Sequence, residues 1–263
     1  YVIDLSQRIG TENLFSVQEA DISRFPSSVR FFALLCSLAV VWSSSVLFIK
    51  IGVETVPPMS LAAGRILITT VILFAIFLWR RDTLPMEGRF WRLCFVLAFV
   101  GNTLPYFLIM WGEVDVDSAL AAILLSVMPL ATLVLAHIFT TDEKFTPLKV
   151  AGVVVGFIGV VILVGPDALG GLGDHLVRQL AVAGGAFCFA IQTVMARRLP
   201  KISPLTVSVV VMICALVQAL PLAIILDWPI TTMPSAASWG AMICLGVFSG
   251  AIALIIYFYL IAQ

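Results

Sequence analysis

Eight stretches of about 20 predominantly apolar residues follow one another along this chain with short loops between them, and that succession decides what it can fold into. The stretches are expected as helices at Arg30–Ile49, Met59–Trp79, Arg92–Trp111, Ser118–Phe139, Pro147–Val164, Gln179–Leu199, Pro204–Leu226 and Ala236–Ala262. A helix rises about 1.5 Å per residue, so each is long enough to cross the hydrocarbon core of a bilayer. Charge is too sparse for the alternative. Only 11% of the 263 residues are charged and 61% are apolar, whereas a soluble domain carries about 25% charge. The fold class expected is an all-α polytopic membrane protein, with the lipid bilayer as its solvent.

Basic residues set the orientation, because cytoplasmic loops collect Lys and Arg. Arg24 and Arg30 precede the first helix. Arg80, Arg81, Arg89 and Arg92 lie between the second and third, Lys144 and Lys149 between the fourth and fifth, and Arg197, Arg198 and Lys201 between the sixth and seventh. With alternating helices all of these fall on one side. The opposite loops hold only Lys50 and Arg178, beside Glu54, Glu113, Asp115, Asp117, Asp167, Asp174 and Asp227. The N-terminus is therefore expected in the cytoplasm. Residues 1–29 form a polar segment with a weak amphipathic pattern at Leu5, Ile9, Leu14 and Phe15, and no cleaved signal peptide is expected there.

Net charge is zero, so nothing points to nucleic acid. The cysteines Cys36, Cys94, Cys188, Cys214 and Cys244 each stand alone in an apolar run and are expected to pack as small apolar residues. His137 and His175 have no ligand-spaced partner, so neither metal nor cofactor is expected. No phosphate-cradling glycine loop, nucleophile elbow or zinc signature occurs, and an enzyme is not expected.

The chain also resembles itself. An offset of 147 residues lays Val41–Lys50 over Cys188–Arg197 and Pro57 over Pro204. In both copies a helix with a central aromatic ends on a cation and a proline opens the next helix. The first copy, 30–165, holds five helices. The second, 179–263, holds three. An odd count makes the second copy enter from the other face, so the halves are expected as inverted repeats with a site between them near the midplane.

These residues resemble a known family. Trp42-Ser43-Ser44 with Lys50, Pro57 with Arg65, the Gly101–Trp111 helix, Ser118 to Met128-Pro129 followed by Asp142-Glu143-Lys144, the glycine-rich Ala151–Gly165 helix and the Phe189 to Arg197 helix are similar to EamA-type members of the drug/metabolite transporter superfamily. The resemblance runs from residue 30 onward. It implies ten helices in two inverted five-helix repeats, of which eight are present here. It also implies an alternating-access exporter of amino acids or similar small metabolites in the inner membrane. Carriage of larger polar solutes such as nucleotide sugars is the alternative, and a membrane scaffold or enzyme is the rival of another class.

Arg65 is the one charge well inside a predicted helix, roughly 7 Å from its outer end at 1.5 Å per residue. Two readings stand: an anchor for a carboxylate or dipole of the substrate, or an arginine that snorkels outward to Glu54 or Glu113. Asn102 and Tyr106 share a face of helix three, and Pro105 between them frees a backbone carbonyl. Trp42 with Ser43, Phe189 with Gln192, Gln218, and Tyr257 with Ser249 complete the expected cavity lining. Met128-Pro129 kinks helix four. Gly152, Gly156 and Gly159 form a stripe expected to pack closely on another helix. No helix centre holds Asp or Glu, so ion coupling would rest on Glu113, a carboxylate at a helix end, or on the two further helices the resemblance implies, and a facilitator or exchanger is expected as much as a proton antiporter.

The charge asymmetry is testable. Cysteines placed at Arg81 and Lys201 are expected to react with an impermeant thiol reagent from the cytoplasmic side, and one at Asp115 from the outside. Labelling of positions 81 and 201 from opposite sides would refute the orientation.

Overall fold

The computed structural model describes residues 27–140, 146–200, 202–229 and 233–261. The amphipathic segment around Leu5 to Phe15, Arg24, Asp142-Glu143-Lys144 and Lys201 lie outside the described residues. Eight helices long and apolar enough to cross a membrane are found among the described residues. They are α1 Ser27–Val53, α2 Pro58–Trp79, α3 Gly88–Glu113, α4 Ser118–Phe139, α5 Pro147–Val164, α6 Leu176–Ala196, α7 Pro204–Asp227, and α8, which runs from Ala236–Cys244 through Leu245–Ile252 to Ala253–Ile261.

Proline opens α2, α5 and α7, where its fixed φ and missing N–H cost the helix nothing. Helix α6 begins at Leu176 and ends at Ala196, about one turn earlier at each end than expected. Its early stop precedes Leu199-Pro200, where proline disfavours helical backbone in the residue before it. The expected irregularities occur. A π turn at Phe99–Thr103 stands immediately before Pro105, which has no N–H for the Gly101 carbonyl. Helix α4 breaks after Leu125 and restarts at Met128-Pro129. A second π turn, Leu245–Ile252 in α8, has no proline to announce it.

The chain divides into two compact units, Tyr1–Val40 and Val41–Gln263. The described part of the first is the opening of α1. It exposes Val29, Phe31, Phe32, Leu35 and Val40, with the Phe31 and Phe32 rings edge to face at 6.0 Å.

In the second unit α2 and α7 form the centre. Met59, Leu61, Ile66 and Leu73 of α2 are fully buried, as are Val209, Val210 and Met212 of α7. The Thr70 hydroxyl sits between the Ile66 carbonyl at 2.7 Å and the Met212 carbonyl at 3.3 Å, one on each helix. Asp227 at the end of α7 accepts the Ser60 N–H in the first turn of α2, where a negative charge complements the helix dipole. The same helices turn Leu67, Val71, Phe74 and Leu78, and Val217, Ile224 and Ile225, outward. Apolar surface on this scale is a fault in water and a requirement in lipid. The chain is an integral membrane protein.

Lipid tails are as apolar as leucine, so contact between helices rests on close fit and small residues. Gly185 of α6 lies where an added Cβ would stand 2.6 Å from Ile109 and 3.4 Å from the Pro105 carbonyl of α3. Gly246 of α8 lies where one would stand 2.6 Å from Ile68 and 3.2 Å from the Arg65 carbonyl of α2. Among the described residues the stripe expected to pack meets no partner. A Cβ at Gly152, Gly156 or Gly159 would meet nothing within 4 Å, and α5 has no buried residue. A small-residue stripe permits close approach without supplying the partner.

Substitution should separate the two sets of glycines. Gly185→Val and Gly246→Val are each expected to destabilise the protein by about 1–3 kcal/mol through overpacking, seen as a lower Tm in detergent. Gly156→Val should leave Tm unchanged.

Candidate functional site

A cavity of about 400 Å³ opens inside the second unit, bounded by residues of α1 to α6 and α8. Its single ionic side chain is Arg65. The arginine is 4% exposed and does not snorkel: no ion pair with Glu54 or Glu113 forms, and Glu54 is itself exposed. Instead its guanidinium lies 4.0 Å above the Tyr106 ring, and Nη2 donates to the Ser249 carbonyl at 3.2 Å. The π turn of α8 takes from that carbonyl its usual i+4 donor. The Ala253 N–H goes to Phe248 and Gly250 and passes over Ser249. The Ser249 hydroxyl folds back to Leu245 at 2.9 Å. Arg65 Nε keeps no hydrogen-bond partner although it is buried.

The π turn of α3 brings Asn102 to the same cavity. Asn102 is 1% exposed and its Nδ2 has no partner. Tyr106, one turn further along, meets Phe189 of α6 with ring centroids 6.1 Å apart. Gln192 of α6 packs against Gly101 of α3, leaving no space for a side chain there. On another part of the wall Trp42 and Tyr257 are tilted rings 5.6 Å apart, and the Tyr257 hydroxyl donates to Thr193 at 3.4 Å. Ser43 lines the wall beside Trp42.

The fold thus brings Trp42, Ser43, Arg65, Asn102, Tyr106, Phe189, Gln192 and Tyr257 to one cavity. Gln218 is the exception. Its Nε2 donates to the Phe95 carbonyl and its Oε1 accepts from Thr103, both at 2.9 Å, so it ties α7 to α3 away from the wall. An interior glutamine in lipid must spend its amide on something, and here a neighbouring helix takes it. Sequence reasoning missed Ile109, Leu125 and the α5 residues Val160, Leu163 and Val164, which also line the cavity. Apolar residues in an apolar helix carry no mark of which side they face.

Near the α3–α4 turn the helix ends are tied by cations to backbone. Lys50 Nζ donates to the carbonyls of Glu113 at 2.8 Å, Val116 at 3.0 Å and Val114 at 3.4 Å. Arg178 Nη1 donates to the Trp111 carbonyl at 2.6 Å, its guanidinium lies 3.8 Å over the Trp111 ring, and Nε pairs with Asp115 at 3.0 Å. Thr55 at the end of α1 reaches Ser238 of α8 at 2.7 Å.

The chain matches the EamA-like transporter family over residues 30–165 and 178–263. It is similar to an Escherichia coli K12 protein named as an uncharacterized inner membrane transporter, YedA, at 27% identity over 90% of this chain and 76% of that protein. A protein of Archaeoglobus fulgidus named as an uncharacterized transporter is 26% identical over 86% of this chain and 78% of its own. A solved crystal structure of a protein with 25% identity superposes with a TM-score of 0.67, covering 86% of this chain and 77% of the other.

Proposed function

The chain belongs to the EamA-like transporter family, and on that premise we propose that it is an alternating-access carrier that exports small amphipathic metabolites of the amino-acid kind, bound at the cavity around Arg65. One observation carries this reading: a buried guanidinium, with a donor unspent, faces a cavity that holds no carboxylate. A charge removed from water without a counter-charge is costly, and an anionic ligand offsets that cost. Arg65 Nε and Asn102 Nδ2 supply free donors for a carboxylate. Trp42, Tyr106, Phe189 and Tyr257 supply ring faces for an apolar body, and their π systems also suit an ammonium. A volume of about 400 Å³ lies in the range for small-molecule sites. Larger polar solutes such as nucleotide sugars call for more buried cations than this wall provides.

The alternating-access part rests on the repeat. The family match falls on two stretches, 30–165 and 178–263. The third helix of each stretch, α3 and α8, carries a π turn, at Phe99–Thr103 and at Leu245–Ile252. Both turns hand polar groups to the cavity, which accords with two inverted halves around one site. The domains are then a polar segment at 1–29, a first repeat at 30–165 and a second at 179–263. We place the protein in an inner membrane, as the name of the Escherichia coli relative suggests, with its N-terminus cytoplasmic.

Transport of labelled amino acids by the protein in liposomes tests this. A hydrogen bond to a charged group is worth about 1.5–3 kcal/mol, so Arg65→Ala is expected to weaken apparent affinity about 10- to 100-fold while the protein still inserts. Arg65→Lys should recover only part, since an ammonium lacks the planar fork. Normal insertion with transport at the unmodified rate would falsify the assignment.

A further inference from the structure

Glu113 is fully buried, and neither of its carboxylate oxygens has a hydrogen-bond partner. It closes α3, one turn beyond the cavity residue Ile109. The nearby cation is already engaged. An ammonium has three N–H groups, and Lys50 directs its Nζ at three carbonyls, those of Glu113, Val114 and Val116, and not at the Glu113 side chain. The other charged groups around this end are placed as follows. Arg178 on α6 is bound to Asp115 and Trp111. Asp115 and Asp117 in the α3–α4 turn are exposed, as is Glu54 after α1. Arg65 on α2 is held by Tyr106 and Ser249. The first segment of α4, Ser118–Leu125, carries no charge. An ionised carboxylate here would have neither water, nor a donor, nor an ion pair, an arrangement that a membrane interior does not support.

We propose that Glu113 is a proton-binding site: it carries a proton while Lys50 ties α1 to the α3–α4 turn, and loss of that proton to water at the outer mouth releases the tie. The step is an acid–base exchange, carboxylic acid to carboxylate plus a proton. The carboxylate so formed is a stronger acceptor for Lys50 than a neutral carbonyl. It draws the ammonium off Val114 and Val116 and frees the turn. A group beyond the cavity thereby links the outer end to the proton concentration there. The inference does not depend on what Arg65 binds and holds for any substrate.

The test uses the full chain in liposomes and the proton itself as the probe. Infrared difference spectra are recorded across an acid-to-alkaline titration. A protonated carboxyl C=O band is expected at the acid end and lost at the alkaline end. It should be missing from Glu113→Gln and shifted in frequency in Glu113→Asp. A spin label on Val114→Cys, a half-exposed turn position, reads the tie. Its mobility should rise on alkalinisation in the parent, stay low at every pH in Glu113→Gln, and stay high at every pH in Lys50→Gln. A titrating band that survives in Glu113→Gln, or no titrating carboxyl band in the parent, overturns the proposal. So does a spin label whose pH response is the same with and without Glu113.

Discussion

A backbone group left out of its helix ladder has no water to turn to inside a bilayer, and this protein builds its cavity and the ties at its helix ends from the places where it leaves one out. The Ser249 carbonyl, passed over in the π turn of α8, takes Arg65. The carbonyls of Glu113, Val114 and Val116 at the end of α3 take Lys50, and that of Trp111 takes Arg178. Each is a long side chain reaching across to another helix. The irregularity that would cost stability alone becomes the point at which two helices are joined.

Because these polar joints need helices to approach closely, small residues lie beside them. Gly246 lets α8 come down onto the backbone of α2 at Arg65 itself, and Gly185 lets α6 meet α3 at Pro105, next to Tyr106. The glycines therefore set the distance at which Arg65 finds Ser249 and Tyr106 finds Phe189. Helix α5 shows the converse. It has glycines in a helical stripe but no buried residue, and it contributes to the cavity only through Val160, Leu163 and Val164.

Charge is divided between two tasks. Near the α3–α4 turn Lys50 and Arg178 are consumed by backbone and by Asp115, and serve as ties. Inside, Arg65 meets one carbonyl and one ring and keeps a donor unspent. Three cations in one bundle thus differ in function through what surrounds them, since Lys and Arg in lipid must be paired, engaged by backbone or in contact with a polar cavity.

What the sequence alone determined is the set of properties that composition and periodicity encode: eight helices long and apolar enough to cross a membrane, their ends at prolines and charges, the break at Met128-Pro129 and a disturbed ladder at Pro105. The polar and aromatic part of the cavity wall could be picked out as well, because such residues stand out against an apolar background; Arg65, Asn102, Tyr106 and Gln192 are of that kind. The tertiary structure alone decided their partners. Arg65 meets Ser249 and Thr55 meets Ser238 across more than half the chain, and nothing local marks either pair. It turned Gln218 from cavity wall to helix tie, left the α5 glycines unpacked, and put a wide turn in α8 where no proline foretold one. The reason is physical. In a helix that is apolar on every face, the hydrophobic effect that would label the inward side of a soluble helix is absent, so facing is settled by shape and by a few hydrogen bonds that exist only after the helices meet.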